Sequence, residues 1–600
     1  MKKKANQKKK SSILRFSPFT KGLRVHFLLA MVFVVLSSLA NYMTPQVIRV
    51  TVDSVINAEP FALPGFVQGW LEALGGRAYL RGHIVLCAAA ALVFAVAAGL
   101  TNFGSRVCLA KACEGSVERV RNRLFDHIQR LPYAWHNQNQ TGDIIQRCTQ
   151  DVELIKNFIN DQLMTILRTL LAIFISMGLM FLMNVKLSLI VLAFIPVTML
   201  FSFVFFVLVG KKFEEADQCE GQLTALVQEN LTGVRVVRAF GRERFEIDRF
   251  NQMNQKFTSL WVRLGRLLGM NWGVCDFLAG FQALVIMVVG VFFVEAGQLT
   301  QGEFLAFTAY NSMLAWPVSN LGRVLTELSK TGISSTRIFD ILDAAAEQDR
   351  PNAQTPDMTG DIVFDHVSFA YGEAGEVLED VSFTIKAGST FGILGATGSG
   401  KSTLMHLLDR LYELPEGGGR ITIGGVDVRD IRLEHLRGHI GMVLQEPFLF
   451  SKSFRESIAE GAGRADLDAV RKYARMAAID DAIANFAQGY ETPIGERGVT
   501  ISGGQKQRVA IARMLMQDTP IKVFDDSLSA VDMETDLKIR RSLRENVHGT
   551  TILIAHRITT LMNADQILVL DKGRVAQLGT HQELAAQEGI YQTIYNMQRS

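Results

Sequence analysis

The hydrophobic residues of this 600-residue chain are concentrated in its first half, in runs long enough to cross a membrane. A helix needs about twenty apolar residues to span the hydrocarbon layer. Six runs meet this requirement and predict membrane-spanning helices at about residues 25–50, 83–106, 161–184, 186–210, 275–295 and 303–323. The pattern therefore predicts a helical membrane domain followed by a water-soluble half.

The connections between these runs differ in length and in basic residues. Those near 184–187 and 295–303 are short and contain almost no Lys or Arg, whereas 107–160 and 211–270 are long and contain many. Because basic residues collect on the cytoplasmic side of membrane proteins, we expect both long connections and both termini to be cytoplasmic. The basic start, MKKKANQKKK, fits this topology, although a solvated tail would explain it as well.

Both long connections contain apolar residues at helical spacing, which predicts that the spanning helices continue into the cytoplasm and turn back there. We expect the bends near 140–151 and 239–244 to present short helices to the soluble half. Asp276, in the fifth predicted span, is open to two interpretations, since a carboxylate there lies either at the interface or in contact with a transported substrate.

Composition narrows the possible functions. Nearly half of the residues are hydrophobic (48%), and the net charge of +3 gives no reason to expect a nucleic-acid partner. The six cysteines show neither metal-ligand nor disulfide-framework spacing, so we interpret them as packing residues.

The soluble half begins after a polar linker at 344–360 and contains a phosphate-binding sequence. A predicted strand, Phe391–Leu394, runs into GATGSGKS, which matches the P-loop pattern G-x-x-x-x-G-K-[ST]. Its glycines let backbone N–H groups turn towards phosphate oxygens, while Lys401 would reach the β- and γ-phosphates and Ser402 would hold Mg²⁺. The predicted nucleotide-binding residues of this segment are Gly395, Ala396, Thr397, Gly398, Ser399, Gly400, Lys401, Ser402 and Thr403.

A second carboxylate for the metal is expected at the end of a neighbouring strand. IKVFD supplies it as Asp525, which would bind Mg²⁺ through water. These residues by themselves indicate only a P-loop nucleoside triphosphatase (NTPase).

Further segments make the chain resemble the ATP-binding cassette (ABC) exporters along its whole length. ISGGQKQR (501–508) is similar to their signature motif, which usually begins with Leu, and SAVD (529–532) to the loop that contacts the opposite subunit. TPIGERG (492–498) is similar to the motif placed next to the coupling helices. Single residues match as well: Tyr371 resembles the adenine-stacking aromatic, Gln445 the residue that senses Mg²⁺ and the attacking water, and His556 the switch histidine.

The resemblance implies a fold, ligands and a partner. It implies a basic N-terminus and elbow at 1–24, a six-span membrane domain at 25–343 with long cytoplasmic helix extensions, the linker at 344–360, and an α/β P-loop domain with a helical subdomain at 361–600. ATP and Mg²⁺ are the implied ligands, with Ser402, Gln445 and Asp525 at the metal. In the family two such chains pair head to tail, so that Ser502, Gly503, Gly504 and Gln505 would serve the partner's nucleotide.

One position departs from the family pattern. Fully active members have Glu directly after the metal-holding Asp, where it polarises the attacking water, whereas this chain has Asp526. The shorter side chain withdraws the carboxylate by roughly 1–1.5 Å, so we predict slow hydrolysis at this site. The predicted catalytic residues are Asp526, Gln445 and His556.

The signature is nearly standard, whereas the catalytic position has Asp526. This contrast favours a heterodimer, in which the signature of this chain serves a partner that carries the glutamate. A homodimer with slow hydrolysis at both sites remains the alternative, as does an ATP-gated channel or regulator that does not pump. For an exporter, the expected setting is a bacterial cell membrane and its lipids, with a small amphipathic, drug-like or lipid substrate.

Overall fold

The computed structural model describes residues 13–61, 65–73, 76–372, 375–463, 466–495, 498–527, 531–546 and 548–599. The lysine-rich start, residues 1–12, lies outside these ranges. The chain divides into a membrane unit, formed by 1–129 and 140–344, and a nucleotide unit, formed by 130–139 and 345–600.

The membrane unit is entirely helical in its described part. A 3₁₀ helix covers Ile13–Thr20, and π-helical turns at Thr51–Ile56, Arg147–Asp151 and Phe158–Leu163 interrupt the longer elements. The α-helices are α1 Arg24–Val50, α2 Gly65–Ala73, α3 Gly76–Gly82, α4 Val85–Gln129, α6 Thr141–Gln146, α7 Val152–Asn157, α8 Met164–Met183, α9 Val185–Thr232, α10 Val234–Ala239, α11 Glu243–Glu295 and α12 Gln301–Leu342, with α5 assigned to the other unit.

Five helical stretches among the described residues are long and apolar enough to cross a membrane: Arg24–Ile56, Val85–Gln129, Thr141–Met183, Val185–Thr232 and Glu243–Glu295. They contain the first five predicted spans. The sixth lies in α12, whose segment 303–323 is less apolar because it contains Thr308, Asn311, Ser312, Ser319 and Asn320. The sixth span therefore stays a prediction.

The spanning helices do continue far beyond a bilayer, as the periodicity predicted. Helix α11 has 53 residues, and at about 1.5 Å per residue it is roughly 80 Å long, more than twice the hydrocarbon thickness. Asp276 lies on α11 with its side chain exposed in the single chain, which leaves both interpretations of this residue open.

The second bend lies where the sequence predicted it, and the first lies earlier in the chain than predicted. The second follows α10, where Gly241 adopts a positive φ of 60° before α11 begins, within the predicted 239–244. The first lies about ten residues before the predicted 140–151. Pro132, with φ −57° and ψ 147°, starts a separate short helix, α5 Tyr133–Gln138, and 141–151 already belongs to the returning helix.

The nucleotide unit is built on two sheets. The smaller, of order β2-β1-β4-β5, is antiparallel, and the larger is of order β10-β9-β3-β8-β7-β6, parallel except for β10. The strands are β1 Ile362–Ala370, β2 Glu376–Ile385, β3 Thr390–Gly395, β4 Arg420–Ile423, β5 Val426–Asp427, β6 Ile440–Val443, β7 Ile521–Asp525, β8 Thr550–Ala555, β9 Gln566–Asp571 and β10 Arg574–Gly579.

Helices pack on these sheets and also form a helical subdomain of their own. The subdomain has its own buried core, which includes Ile458, Val470, Ile483, Ile494 and Val509. The helices of the unit are α5, α13 Lys401–Leu408, α14 Leu433–His439, α15 Phe454–Ala459, α16 Leu467–Met476, α17 Asp480–Ala484, α18 Gly503–Gln517, α19 Met533–Asn546, α20 Ile558–Leu561, α21 His581–Ala586 and α22 Ile590–Arg599. Short 3₁₀ turns cover Val428–Asp430 and Gly489–Glu491.

A close polar contact joins the end of the first span to the start of α12. The buried Asp53 carboxylate accepts hydrogen bonds from the Thr300 hydroxyl (2.5 Å) and from the backbone N–H of Gly302 (2.7 Å). A Cβ atom on Gly302 would lie 2.5 Å from the Arg49 carbonyl oxygen and 2.6 Å from Asp53 Cγ. The contact therefore depends on glycine at this position.

We expect Gly302→Ala to lower the free energy of unfolding by about 1–3 kcal/mol, since the added methyl must push the Asp53 cap away. Thermal unfolding of the full chain in detergent measures this change. Gly280→Ala is the matched control, because a Cβ on Gly280 meets no atom within 4 Å. An equal unfolding temperature for both variants would contradict the role of this contact.

Candidate functional site

The carboxyl ends of four neighbouring parallel strands form one edge of the larger sheet. In the order β3, β8, β7 and β6, these ends lead into the P-loop, His556, the Asp525–Asp526 pair and Gln445. Ligands of open α/β sheets bind outside this edge. The fold thus brings together four segments that are far apart in sequence.

The P-loop is a tight turn that requires glycine at defined positions. Gly398 and Gly400 have φ of 81° and 101°, and a Cβ on Gly395 would lie 2.5 Å from Ser399 Oγ. Helix α13 starts directly afterwards, at Lys401. Backbone N–H groups at such a helix start, together with its dipole, suit a phosphate group.

Lys401 is buried inside this loop. Its ammonium group donates to the carbonyl oxygens of Gly395 and Ala396, both at 2.8 Å. Burial lowers the pKa of Lys401, and the negative charges of Asp525 and Asp526 oppose the shift. The lysine is thereby held at the loop, where an anion would compete with two neutral carbonyls for its charge.

Two of the predicted metal ligands meet between helix α13 and the end of strand β7. The Ser402 hydroxyl donates to Asp525 Oδ2 at 2.8 Å, and Asp525 is buried. A hydroxyl and one carboxylate suit Mg²⁺, which keeps several waters and also binds substrate phosphates. In the described part of the chain no three His, Cys, Asp or Glu residues cluster as a metal site, so phosphate and water would have to complete this one.

Asp526 has an unusual backbone conformation. Its φ is 44°, in the left-handed region, and its N–H donates to the Ile554 carbonyl of β8 at 2.9 Å. Burial raises the pKa of Asp526; Asp525 adds to the shift, while His556 and Lys401 oppose it. Asp is among the few non-glycine residues that tolerate this region. The backbone therefore supplies a conformational reason for Asp here, which the sequence pattern did not reveal.

Tyr371 and Gln445 occupy different surroundings at this edge. The Tyr371 hydroxyl donates to Thr403 Oγ1 at 3.0 Å, which places the ring beside the P-loop helix. Gln445 is exposed, and the described residues offer no hydrogen bond to its side chain, while its carbonyl accepts from Gln507 at 3.4 Å. Tyr371 is thus hydrogen-bonded to the P-loop helix, whereas Gln445 makes no described hydrogen bond to Ser402 or Asp525.

An aromatic contact that no sequence motif indicated joins Tyr371 to α5 through Tyr412. Tyr412 packs edge-on against Tyr371, with ring centroids 4.8 Å apart, and against Tyr133 of α5, at 5.7 Å. Its hydroxyl accepts from Asn137 Nδ2 at 2.6 Å. A cavity of about 850 Å³ opens beside these residues. In the sequence, the only sign of this contact is the two tyrosines of LPYAW and DRLYE, and neither belongs to a known motif.

The signature segment is exposed at Ser502 and Gly503, while Ile501 and Gln507 are buried. Ser502 caps α18 by accepting from the Gln505 N–H, and the Gln505 side chain in turn accepts from the Ser502 N–H at 2.9 Å. Gly503 is exposed and Gly504 is partly exposed. No hydrogen bond among the described residues joins this segment to the P-loop. Ser529, Ala530, Glu496 and Arg497, which belong to other predicted motifs, lie outside the described residues.

Comparisons with known proteins agree with this architecture. Residues 27–318 match the family model of the ABC transporter transmembrane region, and residues 378–529 match that of the ABC transporter domain. An ABC transporter ATP-binding protein of Bacillus subtilis, itself uncharacterised, is 37% identical over 487 residues, 80% of this chain and 83% of that protein.

Two further relatives carry more specific names. The ATP-dependent lipid A-core flippase of Pseudomonas aeruginosa is 33% identical over 95% of this chain and 93% of its own length. A Bacillus subtilis protein provisionally named for multidrug export is 35% identical over 80% of this chain and 83% of its own length. The solved structure of a bacterial Atm1-family ABC exporter with ATP bound superposes with a TM-score of 0.81 at 28% identity, covering 96% of this chain and 99% of that one.

Removal of the Tyr412 ring should weaken nucleotide binding. We expect Tyr412→Ala to raise the Kd for a fluorescent ATP analogue about three- to tenfold, because Tyr371 loses an aromatic partner worth about 0.5–1.5 kcal/mol. Tyr412→Phe keeps the ring and loses only the bond from Asn137, so its Kd should stay close to that of the wild type. Unchanged binding in Tyr412→Ala would show that Tyr371 needs no such support.

Asp409, at the end of the P-loop helix, should make stability depend on pH. Burial raises the pKa of Asp409 to about 7, an effect that Glu347 reinforces and Arg437 opposes. The folded chain then holds a proton that the unfolded chain releases near the ordinary carboxyl pKa, so stability falls between about pH 4 and pH 7, by at most about 1.4 kcal/mol per pH unit. Thermal unfolding between pH 5 and pH 8 should show this fall in the wild type and lose it in Asp409→Asn. Asp468→Asn, at an exposed position, is the control and should retain the fall.

Proposed function

We propose that this chain, which belongs to the ABC transporter family, is one half of a dimeric exporter. Hydrolysis at its own nucleotide site is slow in this proposal. The chain is a multi-pass membrane protein with an ABC ATPase domain and binds ATP.

We infer the dimer from the P-loop and the signature, the two parts of a nucleotide site, because no described hydrogen bond joins them within this chain. The P-loop, Lys401, Ser402 and Asp525 lie together at one sheet edge. The start of the signature, at Ser502, is exposed, and the described hydrogen bonds of Ser502 go to Gln505 and not to the P-loop. A signature that serves a nucleotide must therefore take it from a second chain, as the resemblance implies.

Within one site we assign the residues as follows. The backbone of Gly395–Gly400 cradles the β-phosphate, and Lys401 exchanges the two loop carbonyls for phosphate oxygens. Ser402 and Asp525 hold Mg²⁺, which neutralises phosphate charge when bound. Tyr371 stacks on the adenine, and Gln445 approaches the metal and the attacking water, as in the family.

Asp526 makes hydrolysis at this site slow in our proposal. Its carboxylate is one methylene shorter than that of the usual glutamate, and a misplacement of about 1 Å in a catalytic group can cost on the order of a hundredfold in rate. The left-handed backbone at Asp526 favours Asp over Glu and fixes the carboxylate close to the chain. ATP held here would keep the two nucleotide domains in contact between cycles.

A heterodimer accounts best for the combination of a near-standard signature with Asp526. The partner would supply the glutamate, and hydrolysis there would reset the pair. The retained His556 favours the alternative, a homodimer that hydrolyses slowly at both sites. We propose export of a small amphipathic, drug-like or lipid molecule, since relatives are named for lipid and multidrug export.

ATPase activity of the purified chain in lipid, measured beside Asp526→Glu and Lys401→Ala, tests the proposal. We expect the wild type to hydrolyse slowly and Asp526→Glu to gain at least tenfold, with Lys401→Ala setting the background. Brisk wild-type hydrolysis that Asp526→Glu does not improve would contradict the degenerate site and favour a homodimer. Background activity in all three would indicate that the chain does not form a productive dimer alone, and co-purification would then identify the partner.

A further inference from the structure

Helix α22 packs against the segments that lead into the nucleotide site. Its Tyr591 is fully buried, in a core that also contains Leu394 and Ala555. Leu394 is followed directly by the P-loop, and Ala555 is followed directly by His556. A helix that carries no nucleotide-binding motif therefore shares its core with two of the segments that do.

The side-chain amide of Gln598, near the end of α22, bonds to both sides of the turn that carries His556. Gln598 Nε2 donates to the His556 carbonyl oxygen at 2.9 Å, and Gln598 Oε1 accepts from the Ile558 N–H at 2.8 Å. The His556 turn, residues 556–558, joins the end of β8 to the start of α20 and lies outside the sheet. A single amide thus holds the backbone on both sides of this turn.

A different residue holds the chain that follows the turn. Arg540 of α19 donates from Nη1 to the Thr559 carbonyl at 2.5 Å and from Nη2 to Thr560 Oγ1 at 2.8 Å. These bonds fix α20 and do not reach His556. Gln598 makes the one hydrogen bond that the described residues offer to the His556 carbonyl, and the imidazole itself has none among them. The position of the imidazole therefore depends on the backbone that Gln598 holds.

His556 lies beside the expected position of the γ-phosphate. The Mg²⁺ that Ser402 and Asp525 would hold bridges the β- and γ-phosphates, and β8, which ends at His556, lies between the strands that end at the P-loop and at Asp525. His556 and Asp526 are close enough to interact electrostatically. Because a displacement of about 1 Å in a catalytic group can cost on the order of a hundredfold in rate, a small shift of the turn would matter.

We propose that Gln598 is a positioning residue for hydrolysis, which holds the His556 turn so that the imidazole donates to the γ-phosphate. This role presupposes the catalytic role predicted for His556 in the proposed function. The Gln598 amide bonds to backbone on both sides and acts on the nucleotide through His556. Its effect should therefore appear with a triphosphate and vanish with ADP, which has no γ-phosphate.

The ratio of the Kd values for ADP and for the non-hydrolysable triphosphate AMP-PNP measures this effect. Both are determined with Mg²⁺ on the full chain in lipid, by displacement of a fluorescent ATP analogue. We expect Gln598→Ala to weaken AMP-PNP binding about three- to tenfold, the range of one hydrogen bond to a charged group, and to leave the Kd of ADP unchanged. Gln592→Ala is the matched control on the same helix, because the Gln592 amide donates to the Ala585 carbonyl at 3.1 Å instead, and its ratio should equal that of the wild type.

A double-mutant cycle distinguishes positioning from a merely structural role. His556→Ala should lower the same ratio, and Gln598→Ala added to it should lower the ratio no further, since Gln598 acts through the imidazole. A further loss in the double variant would overturn the proposal. An unchanged ratio in Gln598→Ala, with a lowered one in His556→Ala, would overturn it as well.

Hydrogen exchange of the segment 553–561 tests the contact without any nucleotide. Exchange there should be faster in Gln598→Ala than in the wild type or in Gln592→Ala, because the Ile558 N–H loses its acceptor. Equal exchange would overturn the contact.

The binding ratio requires no hydrolysis, so it is separate from the ATPase comparison of Asp526→Glu. A slow site that Asp526→Glu fails to accelerate would contradict the proposed function and leave the role of Gln598 intact. An unchanged ratio in His556→Ala would overturn the catalytic role of His556 and the positioning role with it.

Discussion

The hydrogen bond from Ser402 to Asp525 ties the P-loop to strand β7, and the nucleotide site depends on it. Both residues are held by the pairing of β3 and β7 with β8 between them. A parallel sheet places the carboxyl ends of its strands at one edge. The P-loop, Asp525 and His556 therefore lie at the same edge although they are far apart in sequence.

The residues of this edge could be predicted because their chemistry fixes both identity and spacing. Gly398 and Gly400 adopt the positive φ angles that a phosphate-binding turn requires, and the capping box at Ser502 and Gln505 follows from S-x-x-Q before an apolar helix. Helical periodicity likewise predicted that α4, α9 and α11 continue well beyond their membrane-spanning segments. In each case a local rule acts within a few residues.

The features that escaped prediction depend on long-range packing. The first bend is the exception, since it lies about ten residues before the predicted 140–151, where Leu131-Pro132 locally disfavours a continuing helix. Contact of Tyr412 with both Tyr371 and Tyr133 joins residues that no motif relates.

Asp526 shows how backbone and catalysis constrain each other. A residue directly after β7 must leave the strand, and here it does so with φ 44° while its N–H still bonds to β8. Short side chains that bond locally tolerate this conformation better than longer ones. In the proposed heterodimer, where the partner hydrolyses ATP, this chain can accept the shorter carboxylate in return for a less strained turn. The same turn in a chain with glutamate would store strain at the catalytic residue, a cost that only a site active in hydrolysis would need to bear.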